Sequence, residues 1–204
     1  MIVAVVALGA WHGINPGMGW LFAVALGLQE GRGSAVWRAL PPLALGHALA
    51  VGQAVLVGLL LGLVVPVLFL KWFVAAVLLV FGLLKLVRSR HPRFGGMQVG
   101  FGGLTLWSML MASAHGAGLM VVPFVIGNET RTMESGMAMA GMGSHPLGLT
   151  ATVVHTAAYL LVAGCVALLV YHKLGLRLLR SAWINLDLVW AGALIATAIV
   201  TPLI

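Results

Sequence analysis

Long apolar stretches make up most of the chain, and short polar or basic segments interrupt them. A membrane-crossing helix needs about 20 mostly apolar residues. Six stretches reach that length, at roughly 2–28, 39–65, 68–87, 101–127, 147–171 and 183–203. The turn between the second and third is short and marked by Pro66. Several stretches exceed the minimum, which predicts tilted or broken helices. The pattern therefore predicts an all-α integral membrane protein of six transmembrane helices, with residues 1–204 as a single membrane domain.

Composition agrees with the pattern. The chain is 62% hydrophobic and only 7% charged, whereas a soluble domain carries roughly 25% charged residues. The N-terminal "MIVAVVALGA" has no basic leader and stays apolar past position 20, so it reads as a true span and not a cleaved signal. The lone cysteine, Cys165, excludes a disulfide within the chain and any thiol-exchange pair.

Placing the cations explains the net charge of +7. With the N-terminus outside, Arg32, Arg38, Lys85, Arg88, Arg90, Arg93, Lys173, Arg177 and Arg180 fall on the inner side, and only Lys71 and Arg131 on the outer. Lys and Arg collect in cytoplasmic loops. This asymmetry predicts a cytoplasmic (inner) membrane protein with both termini on the outer, periplasmic side. The cations then serve topology, and no nucleic-acid partner is needed to explain them.

Two stretches break the apolar rule in the same way. "GAWHGINPGMG" in the first span and "ASAHGAGLMVVP" in the fourth each place a His-Gly pair mid-span, with small residues before it and Met and Pro after it. "GHALA" and "VHTAA" match loosely in the second and fifth spans. Three spans plus three predict two inverted repeats, at about 1–90 and 100–204, with an outer loop at 128–146 inside the second. Inverted repeats build many secondary transporters, with the site near the midplane at broken helices.

The stretch "NPGMGWLFAVALGLQEGRGSAVWRALPPLALGHALA" resembles the start of the lysine exporter superfamily. Asn15, Pro16, Gly17, Gly31, Arg32 and Gly46 fit its pattern, while Met18 stands where those exporters usually have a second Pro. The resemblance covers about the first 55 residues and implies a six-helix, two-repeat transporter. A weaker similarity links "HGINPGMGW" to nickel and cobalt permeases, whose first helices carry His and Asp ligands. Here Gly19 and Trp20 stand where the Asp-His pair would follow.

Four histidines lie inside spans: His12, His47, His115 and His155. Ionisable residues within a membrane are rare and mark pathways or sites. Neutral imidazole binds copper, zinc, nickel and iron. Paired carboxylates for a hard cation are missing from the sequence, which has four acids in all. Asn15, Pro16 and Gly17 predict a helix break, because Pro removes a backbone donor and the freed carbonyls must be satisfied inside the protein. Asp187, Tyr159, Met18 and Met111 are auxiliary candidates, and Gln53 could join a polar interior or bridge helices. Met111 is four residues before His115 and shares its helical face. Met133, Met137, Met139, Met142 and His145 make the outer loop a candidate capture site for copper.

The expectation is a secondary transporter for a transition-metal ion bound by His12, His47, His115 and His155, with proton coupling through histidine. Its partners are the lipid bilayer, the ion or small solute, and a second copy in a homo-oligomer. Two alternatives stay open: an exporter of an amino acid or small amine, and a haem-binding or metal-dependent membrane redox protein or enzyme. Facing histidines can hold haem.

Overall fold

The computed structural model describes residues 1–62, 65–87, 100–134, 144–174 and 186–203. Within them every regular element is helical: α1 (Ile2–Ile14), α2 (Trp20–Glu30), α3 (Gly33–Gly62), α4 (Val67–Val87), α5 (Phe101–Ala114), α6 (Ala117–Glu134), α7 (Ser144–Leu169) and α8 (Leu186–Val200). A 3₁₀ turn, Pro16–Met18, joins α1 to α2. A π-helical turn, Val170–Leu174, ends α7.

The outer surface is not that of a water-soluble protein. The exposed positions carry large apolar side chains, among them Phe69 at 68%, Phe73 at 62%, Leu161 at 69% and Trp37 at 59%. Polar side chains lie inside, including His12, Asn15, His47, Ser108, His115, Thr152 and His155. On α3 the buried stripe runs Val36, Ala39, Leu40, Leu43, Gly46, His47, Ala50, Val51, Val55 and Gly58, at three- and four-residue spacing. His47 is on that stripe, and Trp37, Leu45, Leu49, Leu56 and Leu60 face outward. Oily outer faces around an apolar core that holds a few polar side chains suit a bilayer, where exposed apolar area costs nothing and backbone groups must be paired internally.

Among the described residues, Gly33–Gly62 and Leu147–Lys173 are long and apolar enough to cross a membrane. The pair Phe101–Ala114 and Ala117–Ile126, bent by 60°, makes a third crossing if taken as one span. Ile2–Ile14, Trp20–Glu30, Leu68–Leu84 and Leu194–Leu203 are apolar but shorter. The second hydrophobic stretch starts its helix at Gly33, ahead of the predicted 39. Pro41 and Pro42 do not stop it. Each Pro removes one donor, and a membrane helix tolerates that when neighbours cover the freed carbonyl.

Glycine sets how the helices meet. α1 packs on α7, α5 on α3, and α4 on α8, while α3 and α7 also pack on each other. Gly9 and Gly13, one turn apart on α1, face α7. A Cβ on Gly9 would overlap the His155 carbonyl, and one on Gly13 would lie 2.6 Å from the Tyr159 carbonyl oxygen. Gly46 presses in the same way on the Thr105 carbonyl of α5, and Gly118 on Ala54 and the Ala50 carbonyl of α3. Small residues that admit close backbone approach are the usual glue between membrane helices.

Candidate functional site

The break after α1 is built residue by residue. Asn15 leaves the helix with φ −68° and ψ 120°, and its side-chain oxygen accepts from the Gly17 N–H at 2.9 Å. That caps the 3₁₀ turn, and Pro16 occupies its first position, where no donor is needed. Gly19 then takes φ +116°, a conformation that disfavours any side chain. A Cβ there would also collide with Leu43. The carbonyls released by the break find side-chain donors. Trp20 Nε1 donates to the Ile14 oxygen at 2.9 Å, and Tyr159 O–H donates to the Met18 oxygen at 2.7 Å.

A second break separates α5 from α6. His115 closes α5 at φ −92°, ψ 0°, and Gly116 follows at φ +69°. The two breaks face each other. A Cβ on Gly17 would lie 3.8 Å from His115 Cε1 and 3.8 Å from Met111 Cε.

The structure brings His12, His47 and His155 into mutual contact, with His12 two residues before the end of α1. Their ring centroids are 5.7 Å apart for His12–His47, 5.1 Å for His12–His155 and 5.3 Å for His47–His155. Tyr159 stacks on His47 with centroids 4.0 Å apart and planes 12° from parallel. All four of these side chains are 0% exposed, and His115 is 2% exposed. Chain order scatters them, since α1, α3 and α7 each supply one histidine and α5 ends on the fourth.

Hydrogen bonds orient the rings. His12 Nδ1 is 2.7 Å from the Leu8 oxygen, and His115 Nδ1 is 2.7 Å from the Met111 oxygen, each four residues earlier in its own helix. His155 Nδ1 reaches across to the Val5 oxygen of α1 at 3.2 Å. A carbonyl only accepts, so Nδ1 carries the hydrogen in each neutral ring and Nε2 keeps the lone pair. Such an Nδ1–H···O=C bond is the common way to ready Nε2 as a metal ligand. His47 is held differently. Neither of its ring nitrogens has a hydrogen-bond partner among the described residues, nor does His155 Nε2 or the Asn15 amide nitrogen. Leaving a buried polar group unpartnered costs about 1–3 kcal/mol.

Three imidazoles bound to one ion at about 2.0–2.1 Å would have centroids about 5–6 Å apart, which is the size of this triangle. Their orientation is another matter. His47 and His155 are within 9° of parallel. Among the described residues no group of three or more His, Cys, Asp and Glu side chains is disposed to hold a metal ion. The last torsion of a histidine side chain is broad, so the rings can turn without leaving a rotamer well.

The remaining candidates divide. Met18 is 1% and Met111 4% exposed, both at the breaks. Gln53 is exposed, which corrects its assignment to a polar interior, since it lies off the buried stripe of α3. The side chains of Met133, His145 and Asp187, and all of Met137, Met139 and Met142, lie outside the described residues. Glu30 pairs with Arg38, and with Arg32 at 4.0 Å, at the end of α2. Sequence reasoning missed Ser108, 1% exposed, whose hydroxyl donates to the Leu43 oxygen at 2.7 Å and pins α5 to α3. Its position seven residues before His115, two turns up the same face, was the available signal. It also missed Trp20 as a cap for the broken helix.

No protein-family model, curated protein or solved structure matches the chain.

Proposed function

We propose that the chain is a secondary transporter of the cytoplasmic membrane, with six spans in two inverted repeats and both termini outside, in the manner of the lysine exporter superfamily. Its cargo is a transition-metal ion held by His12, His47, His115 and His155. One observation carries the reading: three fully buried imidazoles in mutual contact beside a helix break, two of them with ring nitrogens that lack any hydrogen-bond partner among the described residues.

The repeat has support of its own. His12 and His115 each stand at a break, and each pairs Nδ1 with a carbonyl four residues back. α1 packs on α7, which carries His155, and α5 packs on α3, which carries His47. Each first helix thus lies on the second helix of the other half. An ion suits the site better than an amino acid or haem, because rings 4.0–5.7 Å apart leave no slot for an organic molecule. Full burial makes this the occluded arrangement, and rocking of the halves about the breaks would open it to either side. Histidine protonation offers the coupling to a proton gradient.

The test is metal flux in proteoliposomes containing the purified chain, with His47→Ala and His155→Ala alongside. Flux of a transition metal that both substitutions abolish is the expected result. Equal flux in empty liposomes and in both variants would refute the transporter reading.

A further inference from the structure

Charge and ligand softness at the histidine cluster narrow the cargo further, and this step rests on the transporter reading above. Imidazole is a neutral donor, so four histidines bring no negative charge to the ion. Among the described side chains the acid is Glu30, which lies at the end of α2, is one-third exposed and is engaged by Arg38 and Arg32. The self-energy of an ion in a low-dielectric interior grows with the square of its charge. A divalent ion there costs about four times what a monovalent one costs, and desolvating even one charge is severe without a counter-charge.

The neighbours of the cluster are soft as well as neutral. Met111 Cε and His115 Cε1 both approach the same point above Gly17, each 3.8 Å from where a Cβ would lie. Met18, 1% exposed, occupies the 3₁₀ turn between Asn15 and Gly19. Thioether sulfur selects Cu(I) among the first-row ions. A monovalent d¹⁰ ion is also satisfied by two or three nitrogen or sulfur donors, and needs no carboxylate. We propose that the cargo of the His12–His47–His155 cluster is a soft monovalent cation, Cu(I), with Met111 and His115 as its neighbouring donors across the broken helices.

Silver(I) is the redox-inert probe for this chemistry. The full-length chain in liposomes is loaded separately with Ag(I) nitrate, Zn(II) and Ni(II), and with Cu(I) under anaerobic ascorbate. Retained and transported metal are then measured by mass spectrometry. Ag(I) and Cu(I) are expected to be retained and moved, with Zn(II) and Ni(II) at the level of empty liposomes. His47→Ala should abolish the difference. Met111→Leu keeps the side-chain volume and should weaken Ag(I) retention while the protein stays monodisperse and Zn(II) background is unchanged. Zn(II) or Ni(II) moved in a His47-dependent way, with Ag(I) excluded, overturns the monovalent assignment and leaves the transporter standing. Wild-type Ag(I) retention in Met111→Leu overturns the thioether part. No metal retained or moved overturns both.

Discussion

Gly13→Ala tests the packing that holds the site together. The added methyl would lie 2.6 Å from the Tyr159 oxygen, 2.8 Å from Val162 Cβ and 2.9 Å from the Ala163 nitrogen. Ordinary contacts between such atoms are about 3.5–4.0 Å, so α1 must back away from α7 by about 1 Å. Two of the three obstacles are backbone atoms, which cannot swing aside as a long side chain would. Overpacking typically costs about 1–3 kcal/mol, and rigid neighbours place this case towards the upper end. The shift also stretches two bonds from α7, one to α1 and one to the 3₁₀ turn that follows it. These are His155 Nδ1 to the Val5 oxygen, already 3.2 Å, and Tyr159 O–H to the Met18 oxygen. Each is worth about 0.5–1.5 kcal/mol. The expected result is a clearly lower melting temperature in detergent, together with loss of metal retention. Gly102→Ala is the control, because nothing lies within 4 Å of a Cβ there. A helical Gly→Ala change of that kind gains about 0.5–1 kcal/mol. If Gly13→Ala melts with the wild type and binds metal equally, the close α1–α7 contact is wrong.

Other substitutions separate site from scaffold. His47→Phe keeps an aromatic ring against Tyr159 and removes two buried nitrogens without partners. Thermal stability should hold or rise by about 1 kcal/mol while metal retention disappears, and a large drop in stability would instead make His47 a structural residue. Tyr159→Phe preserves the stack but strands the Met18 oxygen, at a cost of about 1–3 kcal/mol. The melting temperature reports the loss, and an unchanged value contradicts the hydrogen bond. For topology, Ser34→Cys on a Cys165→Ala background should react with a membrane-impermeant thiol reagent only after permeabilisation. Labelling in intact cells would reverse the proposed orientation.

Much of the architecture is legible along the chain because a bilayer imposes a simple rule. Apolar runs of span length must be helical, since only a helix pairs its own backbone groups in lipid. The first break is legible too, through Pro16 and Gly17, because these residues act locally, whereas the second, at His115 and Gly116, is seen only in the structure. Gln53 shows the limit of local reasoning. It is six residues from His47 and polar, yet its angle around α3 turns it outward, off the buried stripe. Ser108 was passed over for the opposite reason, since nothing local says that its hydroxyl meets the Leu43 carbonyl of another helix.

By itself, then, the sequence determined an all-helical chain suited to a membrane, one interrupted helix at Pro16, and four histidines in apolar surroundings. Hydropathy and backbone chemistry act over a few residues, and they suffice for that much. Only the tertiary structure decided that His12, His47 and His155 touch, that His115 and Met111 meet the other break at Gly17, and that Tyr159 ties His47 to the Met18 carbonyl. Those contacts join positions from 35 residues apart, as His12 and His47 are, to 143 apart, as His12 and His155 are. They depend on how closely helices approach, and the glycines at 9, 13, 46 and 118 set that distance through which side chains are missing.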